Sequence, residues 1–165
     1  MNKDPLNRIT PKKRTFQYGY AALILLLALS GFGQMPIFKR YYIADIPGLG
    51  WLAKFYVTHY LHYLGAVLLI GAAAYVLADF LLSRRKTLQL TPTGIVLSAL
   101  LGGILLTGAF LVLRNLPGFW FPPGMIIVMD LSHLIGVMLF LMATLYGILF
   151  KKSWTIAVHT HMEKE

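Results

Sequence analysis

Four long apolar segments limit what this chain can fold into. They lie at roughly residues 17–36, 55–82, 91–114 and 125–150, and each is long enough to cross a bilayer core of ~30 Å as a helix. A helix of a soluble domain is apolar on one face and charged on the other, whereas these segments are apolar almost all round. The sequence therefore predicts an all-α protein, a four-helix transmembrane bundle with short loops.

Composition narrows the class further. Of the 165 residues, 58% are hydrophobic and 13% are charged, so we expect a single integral membrane domain over residues 1–165, with cytoplasmic tails at 1–16 and 151–165. The chain has no cysteine, which excludes thiolate-held iron–sulfur clusters, covalent c-type haem attachment and disulfides within it. The sequence shows no internal repeat. Any redox chemistry must use histidine or a partner.

The distribution of basic residues indicates an orientation. Five Lys or Arg residues precede the first span, three follow the second and three follow the fourth. The other side has four: Lys39, Arg40, Lys54 and Arg114. Because cytoplasmic loops are enriched in Lys and Arg, both termini are expected in the cytoplasm, in the inner (cytoplasmic) membrane of the cell, with segment 35–55 at the outer headgroup level. The net charge of +9 is then a topology signal and implies no nucleic-acid partner.

Two histidines fall where they can face each other. His62 lies early in the second span and His133 early in the fourth, and with this topology both lie in the outer leaflet. An imidazole inside a membrane is costly and is a candidate functional group by default. Two neutral imidazoles on facing helices can hold a b-type haem, whereas interhelical hydrogen bonding and proton relay are the alternatives. Both are candidate ligands of haem iron.

Three more polar residues near the outer end are candidates. His59 lies one turn before His62 and is an alternative ligand, an interfacial residue or a propionate contact. Asp130 lies one turn before His133 and could orient it, carry a proton or cap a later helix start. Arg114 could pair with a haem propionate or only extend toward the headgroups. The last two histidines are expected in solvent: His159 and His161.

These residues resemble the cytochrome b subunit of membrane-bound formate dehydrogenases, a family of four-helix subunits shared with related hydrogenase and thiosulfate reductase cytochromes. In that family the second span begins with Leu-His and a glycine soon after, and the third carries Thr-Gly, an apolar stretch and an Arg. The matching residues here are Leu61, His62, Gly65, Thr107, Gly108 and Arg114. The family's first span opens with Arg, two residues, then a ligating His and a Trp, and closes with Leu-Ser-Gly. Those positions hold Arg14, Gln17, Tyr18, Leu29, Ser30 and Gly31.

The departures from the family pattern are also informative. Family members hold two stacked haems, the outer ligated from spans two and four and the inner from spans one and four. The outer ligands correspond to His62 and His133, whereas Gln17 and Gly147 stand where the inner ligands would be. The resemblance therefore implies one b-type haem, on the outer side.

The resemblance implies an electron-transfer subunit of a respiratory oxidoreductase complex, not a catalyst alone. It would pass electrons between an outer-side partner, an iron–sulfur or multihaem protein, and menaquinone or ubiquinone. Two places for the quinone stay open. One is the space among Gln17, Tyr18, Tyr146 and Gly147, and the other lies on the outer side, near His59, Asp130 and segment 35–55.

Two other classes of function are compatible with the sequence. A haem-free structural anchor of a redox complex would use the histidines only for packing and hydrogen bonds. A small transporter would need a polar path through the bilayer, and beyond Asp130 and the histidines the spans offer few polar side chains.

Overall fold

The computed structural model describes residues 11–37 and 41–157, with side chains from residue 15 onward. Several predictions concern residues outside this part of the chain. They are the ends of both tails, at 1–10 and 158–165, the two tail histidines His159 and His161, and the outer cations Lys39 and Arg40.

Four long helices confirm the predicted fold class. They are α1 (Pro11–Gly33), α2 (Phe55–Asp79), α3 (Pro92–Leu113) and α4 (Pro123–Leu149). Each is long and apolar enough to cross a membrane, so the chain has the build of a multi-pass membrane protein. The bounds agree with the predicted spans to within three residues, apart from the polar start of α1, which begins six residues before its predicted span.

Helix ends follow from local chemistry. Thr91 caps α3, since its hydroxyl oxygen accepts a hydrogen bond from the Gly94 amide at 2.9 Å, and Pro92 occupies the first helical position, where no amide proton is needed. Pro123 begins α4 in the same way. A π-helical turn, Phe80–Arg84, continues α2. There the Arg84 guanidinium pairs with Asp79 at 2.6 Å.

Two similar turns lie in the connections that precede α2 and α4. In Ile46–Leu49 and in Leu116–Phe119 a proline is followed by a glycine with positive φ, +87° at Gly48 and +91° at Gly118. The fourth amide of each turn donates to the first carbonyl, at 2.9 and 3.4 Å respectively. This is the type II pattern, in which only glycine takes the third position without strain. The segment 35–55 also contains two 3₁₀ turns, Ile43–Asp45 and Gly50–Ala53.

A short antiparallel ribbon was not predicted. Strand β1 (Leu88–Leu90) pairs with β2 (Thr155–Ala157), with Gln89 opposite Ile156. The Thr91 amide and hydroxyl extend this contact by donating to the carbonyls of Trp154 and Ser153, at 3.0 and 2.7 Å. The ribbon therefore joins the chain just after the second span to the chain just after the fourth.

The chain forms two compact units, Met1–Ala74 and Tyr75–Glu165. In the first, Leu52 is buried and would lie 2.9 Å from a Cβ placed on Gly33, so α1 ends where segment 35–55 packs closely on it. In the second, α3 and α4 pack closely along their length. The prediction of one integral domain concerns the assembly of both units and stays a prediction.

Candidate functional site

His62 makes its hydrogen bonds to α1. Its Nδ1 lies 3.1 Å from the Ser30 hydroxyl oxygen and 3.2 Å from the Leu27 carbonyl oxygen. Ser30 is fully buried, and its hydroxyl donates to the same Leu27 carbonyl at 3.2 Å. Because a carbonyl oxygen can only accept, Nδ1 of His62 must carry the proton that it donates.

His133 has the corresponding surroundings in the second unit. Its Nδ1 lies 3.0 Å from the Thr107 hydroxyl oxygen on α3. The Thr107 hydroxyl lies within hydrogen-bond distance of the carbonyls of Gly103 and Ile104, at 2.9 and 3.1 Å. When its proton is on one of these carbonyls, the Thr107 oxygen accepts from a protonated Nδ1 of His133.

The contact with the Leu27 carbonyl assigns the tautomer of His62, and the contact with the Thr107 hydroxyl is compatible with the same tautomer of His133. A neutral imidazole has one protonated nitrogen, so a proton on Nδ1 leaves the lone pair on Nε2. Metal-ligating histidines commonly donate their second ring N–H to a carbonyl or similar acceptor, which fixes the ring and makes the ligating nitrogen more basic. His62 is therefore held in the form that can donate a lone pair to a metal, and the surroundings of His133 accommodate the same form.

Glycines give each ring room beside the opposite helix. A Cβ on Gly31 would lie 3.1 Å from Cε1 of His62, and one on Gly108 would lie 3.3 Å from Cε1 of His133. Both distances are shorter than ordinary van der Waals contacts. Ser30 and Thr107 each directly precede one of these glycines. In each cradle, therefore, the hydroxyl residue supplies the hydrogen-bond partner and the glycine after it leaves room for the ring.

We call these two arrangements the histidine cradles. The first cradle consists of Leu27, Ser30 and Gly31 around His62, and the second of Ile104, Thr107 and Gly108 around His133. The similarity between the two cradles extends one turn further, to the glycine that lies three residues after each histidine. Gly65 approaches the side chain of Leu27, and Gly136 approaches that of Ile104. The two cradles therefore share one short pattern of contacts.

The shared pattern escapes a sequence search because its spacing varies. Ser30 and His62 are 32 residues apart, whereas Thr107 and His133 are 26 apart. The signal that could have found it is a Ser-Gly or Thr-Gly pair on one helix, followed on the next by His, two residues and Gly. Ser30 and Thr107 were recognised in the sequence only as family-like positions and were given no role.

His59 lies beside the first cradle and has partners of its own. Its Nδ1 is 3.0 Å from the Gln34 side-chain oxygen. Its ring stacks on Phe55 with centroids 5.2 Å apart and lies 4.3 Å from the ring of Tyr63. These contacts place His59 in an aromatic and amide environment one turn from His62.

Arg114 and Asp130 lie beside the second cradle and pair with each other. Nη1 of Arg114 donates to both carboxylate oxygens of Asp130, at 3.1 and 3.0 Å. Asp130 is helical and seven residues past the start of α4, so it does not cap that helix. Thr107 lies on Nδ1 of His133, and the orienting and proton-carrying roles considered for Asp130 stay predictions.

The residues proposed around an inner quinone are divided between the two units. Gln17 and Tyr18 are exposed residues of α1. In the second unit, Tyr146 is exposed with its ring 4.6 Å from that of Phe150, and Gly147 is buried in α4. A quinone site at these residues stays a prediction.

Over the described ranges 15–37 and 41–157, no three His, Cys, Asp or Glu side chains gather as a metal site. A haem iron with two axial histidines needs no such group, because the porphyrin supplies the other four nitrogens. No family model, curated protein or solved structure matches the chain. Fold and site together define a helical multi-pass membrane protein with two similarly held intramembrane histidines.

Proposed function

We propose that this protein is a membrane-anchoring cytochrome b subunit of a respiratory redox complex, with a single b-type haem whose axial ligands are His62 and His133. One observation carries the proposal. In both cradles Nδ1 lies within hydrogen-bond distance of oxygen atoms of the neighbouring helix, and donation from Nδ1 leaves the lone pair of a ring on Nε2, as a haem ligand requires.

The donor set fits this cofactor. Two neutral imidazoles suit a low-spin iron without an open coordination position, and when bound such a haem supplies a one-electron carrier. The chain's own residues restrain the orientation of both rings through the hydrogen bonds on Nδ1. Arg114 is paired with Asp130, so its charge is balanced within the protein. A propionate contact of Arg114 or His59 is a further part of the proposal.

The proposal is tested by the spectrum of the purified chain. Reduction with dithionite should give the sharp α-band of a low-spin b haem, and extraction into pyridine should give one haem per chain. A chain that is folded and stable in detergent but has no such band would overturn the proposal.

We infer that the outer surface receives a redox partner, an iron–sulfur or multihaem protein, and that menaquinone or ubiquinone exchanges electrons with the same haem. The inferred outer leaflet position of both histidines and the exposed Lys54 support this inference. Outer charges mainly tune the rate and specificity of association. Reversal of Lys39 and Arg40 to Glu should weaken co-purification of the partner and slow haem reduction in the intact complex. If co-purification and haem reduction are both unchanged while the haem is retained, segment 35–55 is a lipid anchor.

A haem-free structural anchor is the second candidate. The specific observation in its favour is that the same hydrogen bonds join neighbouring helices, and interhelical bonds from histidine and hydroxyl groups stabilise membrane bundles without any cofactor. It predicts a colourless protein whose stability falls when either cradle is changed. The reduced spectrum separates the two candidates.

A further inference from the structure

The hydroxyl groups of the two cradles have a defined direction. Ser30 donates its proton to the Leu27 carbonyl, and Thr107 donates to the carbonyls of Gly103 and Ile104. In both cases the acceptors belong to the hydroxyl's own helix. The hydroxyl proton is therefore directed away from the histidine, and an oxygen lone pair is presented to Nδ1.

Each ring then faces a hydroxyl oxygen of the neighbouring helix. For His62 it is that of Ser30, with the Leu27 carbonyl one turn away, and for His133 it is that of Thr107. Because Nδ1 lies off the Cβ–Cγ bond, a hydrogen bond from it to a fixed oxygen restrains rotation of the ring. The two hydroxyl oxygens therefore restrain both rings.

The geometry points to Ser30 and Thr107 as positioning residues that set the tautomer, rotation and basicity of the two iron-ligating imidazoles. The iron-ligating role of the imidazoles rests on the proposed function, whereas the hydrogen bonds on Nδ1 are observed in the structure. Because an N–H that donates to oxygen makes the other ring nitrogen a stronger donor, both hydroxyls favour the ferric state. Their loss should raise the midpoint potential and weaken the hold on the haem.

The chain offers matched variants for the test. Thr107→Val removes the hydroxyl and keeps the side-chain volume, whereas Thr107→Ser keeps the hydroxyl and removes a methyl group. Ser30→Ala is the corresponding change in the first cradle. Two controls remove hydroxyls that donate to carbonyls of their own helix at 3.0 and 2.9 Å: Ser132→Ala and Thr58→Val.

The first measurement is haem affinity and midpoint potential of the full chain in detergent. Thr107→Val and Ser30→Ala should each weaken haem retention by roughly 10-fold, the lower range for the loss of a partner of a metal ligand, and should raise the potential. Thr107→Ser, Ser132→Ala and Thr58→Val should leave both close to those of the wild type. The same shift in the controls would assign the effect to packing and overturn the inference.

The second measurement does not depend on haem. Nitrogen NMR of the dithionite-reduced full chain, with labelled histidine, reports the protonated Nδ1 of each ring. In Thr107→Val the Nδ1 proton resonance of His133 should shift and exchange faster with water while that of His62 is unchanged, and Ser30→Ala should do the reverse. Unchanged resonances in both variants would show that the hydroxyls do not position the rings.

The two measurements separate the possible failures. The wild type could lack haem and still show both protonated Nδ1 resonances, with each resonance changed only by the variant of its own hydroxyl. That result would refute the haem and leave the positioning role of Ser30 and Thr107 intact. A haem-containing wild type whose hydroxyl variants equal Ser132→Ala and Thr58→Val would keep the haem and refute the positioning role.

Discussion

The two cradles have the same polar contacts but different neighbours. In the first, the adjacent polar pair is His59 with the amide of Gln34, flanked by the aromatic rings of Phe55 and Tyr63. In the second, it is Arg114 with Asp130, an ion pair whose side chains are 29% and 53% exposed. The two units therefore share the cradle and differ in the polar pair beside it.

This difference indicates which contacts serve the histidines and which serve their position in the chain. A hydroxyl on Nδ1 and an adjacent glycine recur although the loops between the paired helices differ in length. The polar pair beside the cradle does not recur, since one is an amide with a histidine and the other is an ion pair. If both rings bind one iron as proposed, both need the same hydrogen bond, whereas the neighbouring polar pairs do not.

The largest expected effect is from removal of the histidines. His62→Ala and His133→Ala should each abolish the low-spin b-haem spectrum, because one remaining imidazole cannot complete the coordination. His59→Ala should leave the spectrum in place, since the resemblance assigns the ligand of the second span to His62. Full haem content in either cradle variant, or its loss only in His59→Ala, would show that the ligands have been assigned to the wrong residues.

The two Pro-Gly turns allow a test of which side of the membrane each connection lies on, and its effect should be as large. If both lie outside, Cys introduced at Asp45 or at Phe119 should be labelled by an impermeant thiol reagent in intact cells, because the chain has no cysteine of its own. Cys at Ser83 should react only after lysis, as the positive-inside rule places it in the cytoplasm. If only Ser83→Cys is labelled in intact cells, the orientation is the opposite of the one predicted. If one turn is labelled and the other is not, the two turns do not lie on the same side and the predicted topology is wrong.

The glycines of the cradles should show an intermediate effect. Gly31→Ala and Gly108→Ala would each place a Cβ within 3.1 to 3.3 Å of a histidine ring, and overpacking typically costs about 1–3 kcal/mol. We expect reduced haem content, more for Gly31→Ala because its contact is the shorter. Gly102→Ala is the control, since its Cβ would meet no atom within 4 Å and alanine is the better helix former. Equal haem in all three variants would contradict a steric role.

The sequence allowed prediction of the helices but not of the cradles, for physical reasons. A span is recognisable because its twenty or so apolar residues must all avoid water, so composition over a window is enough. The contact between Ser30 and His62 depends on how two helices are rotated against each other, which apolar composition does not encode. The ribbon of β1 and β2 was missed because three-residue strands have no pattern that distinguishes them from a loop.

The candidate site was predictable in part, because intramembrane histidines are costly and therefore informative. His62 and His133 could be singled out from position alone. The pairing of Arg114 with Asp130 could not, since each had a separate explanation at its own end of a helix. Only the structure shows that one charge balances the other.

The smallest expected effect is from the outer polar pairs, and it differs between the two units. Asp130→Asn removes a partly exposed ion pair, which is typically worth under about 1 kcal/mol, so the thermal stability of the detergent-solubilised protein should fall slightly. The loss should be larger at low than at high ionic strength because salt screens exposed charges. Gln34→Ala removes a hydrogen bond between the His59 ring and an uncharged amide, worth about 0.5–1.5 kcal/mol, and its effect should depend less on salt because no ion pair is lost. Haem content should be unchanged in both variants, since neither residue belongs to a cradle. A loss of haem in Asp130→Asn would show that the ion pair belongs to the haem site, and the two units would then differ in how they hold the cofactor as well as in what surrounds it.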